Sequence, residues 1–495
     1  MSQQSDPNAA TLPDGRAAVA ARISELEQDL ARARANPMAI VCDLLIYRVL
    51  GAMSRLGAPF PQKMTDRWKR SSLRRAPFRS LPGSEQASGE LGLSSSSYRA
   101  QSMPGMRPFD PARKTVLVVS HDSSRTGAPI VAFNLAEILA ESFNVVILTL
   151  RGGEILANFV ETAVEVLLSG TPQKAKLPRE SQIKALCQKY DFSFAIVNTA
   201  IASPVVPMLQ ACHVPCINLV HEFFADAKPI AAMQAADILV FSTQLTLDSA
   251  LHHHAGPLTP RVLVIPQGKC RVPEARAVKG LDAEERVWLQ DALKPQNPDD
   301  PGLIVIGAAT VEYRKGVDLF LECANRVAQS PGGQRYRFYW FGEGLDDPRN
   351  AHYTRFVKDQ VDRAGLAGRV RFLRATSQIE LAYEMADALL LTSRQDPLPN
   401  VSIDALAAGL PVFCFDRASG IAEYLTKGGL GPTCVARYCD TQDLAQKLLA
   451  LGEAGLNRDK LSGDCRAIAT AHFNMKSYAK TLAALGSEIA ARPPK

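Results

Sequence analysis

The sequence predicts an α/β chain built from two Rossmann-like, doubly wound parallel-sheet domains facing a cleft, with a helical and partly disordered extension ahead of them. Three observations predict it. The chain has 495 residues, more than one ordinary domain accommodates. Short unbroken apolar runs rich in β-branched residues alternate with helical patterns, as strands buried on both faces of a parallel sheet require. That alternation stops in a polar, proline-rich stretch near 270–302 and then restarts. Hydrophobic residues make up 46% of the chain, enough for substantial cores, and charged residues 21%, too few for a wholly disordered chain. The net charge of +6 is modest and unevenly spread.

Residues 1–113 form the extension. Val19, Ile23, Leu26 and Leu30 recur at i, i+4, i+7 and i+11, one face of a helix. At roughly three heptads the segment suits a short hairpin or a dimer contact, so residues 16–35 are the candidate homo-oligomer surface. The run "PMAIVCDLLIYRVLGAMSRLG" is apolar but broken by Asp43 and Arg48, short of the ~18 clean apolar residues of a membrane span. "PFPQKMTDRWKRSSLRRAPFR" carries seven basic residues and one acid, with Phe60, Trp68 and Phe78 between them. Residues 37–80 can therefore lie on an anionic membrane surface, and a solvated basic linker is the plainer reading of the same charges. No recognition motif accompanies them, so nucleic acid is not an expected partner. "LPGSEQASGELGLSSSSYRAQSMPG" reads as a flexible Gly/Ser linker. The N-terminus lacks the apolar core of a signal peptide, and the ten cysteines are scattered without a C-x-x-C pair. A reducing, cytoplasmic setting is expected, peripheral to the inner face of the membrane if residues 37–80 dock there. Cys212 and Cys216 flank "HVP" and read as small buried hydrophobes beside a strand rather than a metal clip.

The first sheet domain spans 114–280. Its strands are 115–120, 144–150, 194–198, 216–221, 238–242 and 261–266, with helices such as 128–141 and 179–189 between them. The second spans 300–470, with strands 303–310, 336–342, 370–374, 388–393 and 411–416. Its helices are 316–329, 352–365, 377–386, 399–408 and about 439–452. Residues 471–495 form a last helix. Ligands of such sheets bind outside the carboxyl ends of the strands, so the cleft between the domains is the expected site.

Several motifs sit at strand ends. "SHDSSRTGAP" follows the first strand and opens a helix, so Thr126 and Gly127 offer amide groups to an anion; an ordinary strand-to-helix turn reads the same way. Arg314 and Lys315 arrive just before a helix, where two cations suit a diphosphate, though a solvated basic turn is also consistent. Gly342 and Gly344 make a tight turn after another strand. The stretch "TSRQDPLPNVSIDALAAGLPVFCFD" places Asp396 at the close of a strand and Asp404 about one turn into the next helix, with seven residues between them. An acid near a helix N-terminus simply favours the helix, which accounts for one aspartate but less well for the pair. "HHH" at 252–254 reads as the end of a helix rather than a metal site.

"SRQDPLPNVSIDALAAGLPV" resembles the signature of the retaining nucleotide-sugar glycosyltransferases of family 4, which have the GT-B fold: two acids seven residues apart, then a helix with A-x-A-x-G-x-P. The "RKG" of 314–316, "GEG" of 342–344, "SGIAEYL" of 419–425 and "HFNMKSYAKTL" of 472–482 fall in the family's order. The last of these resembles a helix that crosses back to the first domain. The resemblance implies roles by position. Lys315 and Arg314 neutralise the donor diphosphate, Asp396 lies against the hydroxyls of the transferred sugar, and His221 lies near that sugar. Asp404 accepts from the ribose hydroxyls, with Asn400 at the start of its helix. Ser419, Gly420 and Ile421 present amides to phosphate or sugar, beside Gly342 and Gly344. Gly127 and Thr126 line the acceptor and phosphate side.

Two departures stand out. The family's acids are usually both glutamate and here both are aspartate, shorter by roughly 1.5 Å. The family's Gly-Gly in the first loop is replaced by Thr126-Gly127-Ala128-Pro129. The implied activity is transfer of a hexose-type sugar, with retention, from a nucleotide-diphosphate sugar to a glycan or lipid-linked acceptor, in bacterial surface polysaccharide or glycoconjugate synthesis. The nucleotide sugar is a co-substrate and no cofactor is expected. No D-x-D occurs in the chain, so a donor site without metal is expected, the cations and amides facing the leaving group instead. The alternatives are a nucleotide-sugar epimerase or phosphorylase on the same scaffold and a non-catalytic assembly protein that retains it. A dinucleotide dehydrogenase is disfavoured, because no G-x-G-x-x-G opens a helix after a strand.

Overall fold

The unbroken apolar runs of the first half become the parallel core of one sheet. Its strands are β1 (Gln101–Pro104), β2 (Thr115–Ser120), β3 (Asn144–Thr149), β4 (Glu165–Leu168), β5 (Phe192–Asn198), β6 (Cys216–Val220), β7 (Ile238–Phe241) and β8 (Arg261–Val264). The computed structural model describes residues 100–224, 228–254, 256–273, 281–294, 302–453 and 455–492. The readings of residues 16–35 and 37–80 lie outside these, as does most of the Gly/Ser linker.

The strand order is β1-β4-β3-β2-β5-β6-β7-β8, all parallel except β1, which pairs antiparallel with β4. Alternate residues of β2 serve different cores. Val116 and Val118 pack on one face, and Leu117 and Val119 on the other. A strand buried on both faces has no polar side, which is why these segments read as continuous apolar runs. The second sheet holds β9 (Leu303–Ala308), β10 (Tyr336–Phe341), β11 (Val370–Leu373), β12 (Ala388–Leu391), β13 (Val412–Phe415) and β14 (Val435–Ala436). Their order is β11-β10-β9-β12-β13-β14, all parallel.

In each sheet the chain winds outward one way and then the other. The reversal falls between β2 and β5 in the first lobe and between β9 and β12 in the second. Loops leaving such neighbours diverge and open a crevice at their carboxyl ends. Two helices carry the relevant loops in the first lobe: α1 (Gly127–Leu139) after β2 and α2 (Gln244–His253) after β7. In the second lobe the counterparts are α3 (Val317–Ala328), α4 (Ile379–Met385), α5 (Asn400–Ala408) and α6 (Ile421–Lys427).

The chain finishes on the first lobe. The last helix, α7 (Met475–Ala490), begins at Asn474, whose side chain accepts from Ser477 N at 2.8 Å. It lays Met475, Tyr478, Ala479, Leu482 and Ile489 into the first lobe's core, the i, i+3, i+4, i+7 spacing of one helical face. Gly486 faces the Phe194 ring, where an added Cβ would lie 2.5 Å from the ring carbons. The hinge segment 265–273 crosses beside it, with Lys269 N donating to Phe473 O at 2.7 Å.

The structure corrects several readings. The segment 101–104 is not linker: it is the edge strand β1, so the first sheet reaches back beyond residue 114. The strands β4 and β14 and the helix Leu281–Leu293, inside the proline-rich stretch, were not anticipated. Cys434 ends a short helix and is buried. No described helix is long and apolar enough to cross a membrane.

Leu482→Ala, which opens a cavity under α7, is expected to cost about 2–5 kcal/mol, whereas Ala484→Ser on the exposed face should stay within about 0.5 kcal/mol. Urea unfolding followed by circular dichroism checks both.

Candidate active site

The basic turn after β9 is shaped by a glycine. Tyr313–Lys315 form a single 3-10 turn that ends at Gly316, with φ 66 and ψ 41. A Cβ at Gly316 would collide with the Thr392 carbonyl at the end of β12, and Thr392 Oγ1 donates to Gly316 O at 2.8 Å. Arg394 clamps the same contact: its amide donates to Arg314 O and its guanidinium to Tyr313 O, both at 2.8 Å. Asp318 holds that guanidinium through two bonds of 2.9 and 2.7 Å.

The clamp brings Lys315 onto Asp396 across the β9/β12 switch point. Lys315 Nζ lies 2.6 Å from Asp396 Oδ2, Arg314 Nη1 3.7 Å from Oδ1, and Ser393 Oγ donates to Oδ2 at 3.1 Å. Asp396 is 5% exposed, so this is a buried, charge-compensated carboxylate. Arg314 is half-exposed and also binds Gln395 O and Glu312. Gly342 and Gly344, with φ 154 and 102, support the approach to this turn: Val311 N donates to Glu343 O at 2.8 Å, and Gly342 leaves no room for a Cβ against Ala309 O.

Asp404 stands on α5 one turn after Asn400, on the same face. It is 8% exposed, and its Oδ1 has no hydrogen-bond partner. Burial pushes its carboxyl from 3.8 up to about 7, opposed by Lys269 on the hinge and reinforced by Glu380. The hydroxyl of Tyr383 on α4 is likewise buried and unpartnered, and burial and the neighbouring Asp404 both raise it. Asn400 itself crosses to the first lobe, donating to Gly127 O at 3.3 Å. Gln267 of the hinge donates to Leu398 O at 2.8 Å, and its own Oε1 is left without a partner.

On the first lobe Thr126 precedes α1 without a side-chain cap, and Gly127 faces Asn400. Asn198 at the end of β5 donates to Ala128 O at 2.7 Å, and its Oδ1 lies 3.0 Å from His221 Nε2. An amide oriented by Ala128 leaves its oxygen to accept, so Nε2 carries the proton and Nδ1 is the acceptor. Burial, with His121 nearby, pushes His221 down to about 4, so it is neutral at pH 7. Next to it Glu222 is pushed up to about 7 by burial, against amide bonds from Ala200 and His221. Thr199 holds φ 97 and ψ 151, a conformation rare outside glycine and costly enough to mark a constrained site.

One assignment needs correction. The Ser419–Ile421 loop does not present three free amides, because Gly420 N donates to Pro397 O at 2.8 Å. Gly420 is also wedged against Thr243 of the first lobe, with no space for a Cβ. The hydroxyls of Ser419 and Ser242, beside that contact, are buried and unpartnered. Sequence reasoning missed Gln267, Tyr383, Thr199, Thr243 and Glu222. Only Gln267, in "PQG" between the two halves, carries a local signal of its hinge position. Among the described residues no group of three His, Cys, Asp or Glu side chains is placed to hold a metal ion.

The buried unpartnered side-chain atoms among the described residues are those of Ser169, Ser242, Gln267, Tyr383, Asp404 and Ser419. All but Ser169 belong to the seam between the lobes or to the second-lobe helices beside it, so these polar atoms gather in one region of the molecule.

Residues 300–453 match the family described as Glycosyl transferases group 1. Over 112 residues the chain is 27% identical to mannosylfructose-phosphate synthase of Agrobacterium fabrum, a stretch covering 22% of this chain and 24% of that relative. The match thus spans about a quarter of the relative's length. Among solved structures, HepE of Anabaena in complex with UDP and glucose aligns with a TM-score of 0.59 at 17% identity, covering 76% of this chain and 100% of that one. Sucrose-phosphate synthase of Thermosynechococcus elongatus aligns with 0.58 at 18% identity, covering 77% and 100%. These likenesses establish the fold: two parallel-sheet α/β lobes of the GT-B glycosyltransferase type.

Lys315→Met leaves Asp396 buried with only a distant cation and is expected to destabilise the chain by about 3–5 kcal/mol, with Lys315→Met/Asp396→Asn recovering part of the loss. Asp404 generates a pH dependence. The native carboxyl keeps its proton to about pH 7, whereas the unfolded chain releases it near 3.8. Stability therefore falls as pH rises from about 4 to 7, by up to ~4 kcal/mol from this group. Asp404→Asn should flatten that slope and melt above wild type at pH 8, which calorimetry across pH measures.

Proposed function

We propose that the chain transfers a hexose-type sugar from a nucleotide-diphosphate sugar to a hydroxyl of a glycan or lipid-linked acceptor. The observation that carries the reading is the pair of aspartates around the β12–α5 turn. Asp396 is bound to the two cations at a strand switch point, and Asp404 is buried one turn into α5 with an acceptor atom unmet. The match of residues 300–453 and the complexes of HepE with UDP and with UDP-glucose support the same reading.

The chemistry follows from the side chains. A departing diphosphate gains negative charge as the bond to the sugar breaks, and Lys315 and Arg314 stand where they stabilise it without a metal ion. Engaging the diphosphate loosens the cations from Asp396, whose carboxylate then accepts from the sugar hydroxyls. Asp404 accepts from the ribose hydroxyls, which supply the donors that its Oδ1 lacks. Neutral His221 offers Nδ1 as an acceptor on the first-lobe side, beside Thr126 and Gly127. Transfer with retention places the acceptor on the face of the sugar that the diphosphate leaves. A bacterial surface polysaccharide or glycolipid precursor is the acceptor class that suits the basic, aromatic-bearing residues 37–80.

The decisive experiment is calorimetry with UDP-glucose, whose diphosphate holds no proton near neutral pH. Ribose hydroxyls donating to Asp404 favour its ionised form, so binding should release a proton between about pH 5 and 7, and affinity should rise as pH approaches 7. Asp404→Asn should abolish the proton release, and Lys315→Ala should weaken binding by about tenfold or more. Absence of binding to UDP-glucose or any other nucleotide sugar, together with Lys315→Ala indistinguishable from wild type, overturns the reading.

A further inference from the structure

The second lobe reaches into the first at one helix terminus. α2 begins at Thr243, whose Oγ1 accepts from Thr246 N at 3.3 Å while Thr246 Oγ1 accepts from Thr243 N at 3.2 Å. That box leaves the amides of Gln244 and Leu245, and α2 has no acid in its own first turn. Both amides donate across the seam to Glu423, at 3.2 and 2.8 Å. A carboxylate there meets the orphan donors and the positive end of the helix dipole together. Glu423 lies in the first turn of α6, directly after the Ser419–Ile421 loop. The contact is a charge-assisted cap between the lobes, and the Ser242 and Ser419 hydroxyls beside it are buried.

We infer that Glu423 is a positioning residue, a latch that ties the Ser419–Ile421 loop of the second lobe to α2 of the first and couples donor binding to closure of the lobes. The latch stands on the hydrogen bonds above; its coupling to a donor rests on the proposed function. Hydrogen exchange of the full chain, read at the amides of Gln244 and Leu245, tests the two parts separately. Without ligand, Glu423→Ala should speed exchange at these amides by about tenfold, with β2 and β9 unchanged. Glu423→Gln, which keeps an acceptor but loses the charge, should fall between. Saturating UDP-glucose should slow exchange in α2 of the wild type but not of Glu423→Ala, and by reciprocity calorimetry should find UDP-glucose binding to Glu423→Ala weakened by up to about tenfold; unchanged affinity overturns the coupling. Unchanged exchange at Gln244 and Leu245 in Glu423→Ala overturns the latch. If wild type binds neither UDP-glucose nor any other nucleotide sugar, the proposed function fails, and the ligand-free comparison still decides the cap.

Discussion

A carboxylate buried at a strand end must be charge-compensated, and in this chain that requirement organises the second lobe's working face. Asp396 is almost wholly buried, and the nearest cation to it is Lys315, 81 residues earlier in the chain. The pairing is possible because β9 and β12 are neighbours although β10 and β11 intervene in sequence. Everything around the pair serves that approach: the left-handed Gly316, the carbonyl of Thr392 it rests on, and the Arg394–Asp318 clamp. Under the proposed function, the two cations that hold Asp396 are those that would meet a diphosphate, one anion exchanging for another.

The first lobe contributes polar groups of a different kind. Its switch point, between β2 and β5, carries Thr126, Gly127, Asn198 and the strained Thr199, with His221 and Glu222 one strand further on. None of the cations described around Asp396 comes from it. Under the proposed function, that division puts the leaving group on the second lobe and the acceptor on the first. The atoms left unsatisfied gather where the two meet.

The sheets were legible in the sequence because their strands are buried on both faces, so β2, β3, β9 and β12 appear as runs no other element produces. β1 was not, being four residues among serines and glycines that pair with β4 as Gln101 with Leu168 through Pro104 with Glu165, far away in sequence. The helix Leu281–Leu293 was masked by the prolines and acids beside it. At the site, residue types and spacing pointed to Lys315, Asp396 and Asp404, but not to who binds whom. Local pattern cannot show that Lys315 rests on Asp396, that Gly420 spends its amide on Pro397, or that Glu423 caps a helix 178 residues earlier. Those are products of topology, and so is the burial that moves Asp404 and His221 away from their ordinary ionisation.

The shortness of the two aspartates, relative to the glutamates of the resembling family, has a different consequence at each position. At Asp396 the shorter acid still meets its cation, because Gly316 lets the turn that carries Lys315 dock against β12. At Asp404 nothing closes the gap: the carboxyl stays beneath the surface, one oxygen is unmet, and its proton is held to about pH 7. An acid that served only the fold would be a poor choice there, because an amide or an apolar side chain would avoid the burial of an ionisable group. Perturbed acids of this sort gather at working sites, where a group that destabilises the empty protein regains its partners on binding. Asp396 is compensated within the protein, and under the proposed function the hydroxyls of a donor would supply the partners of Asp404.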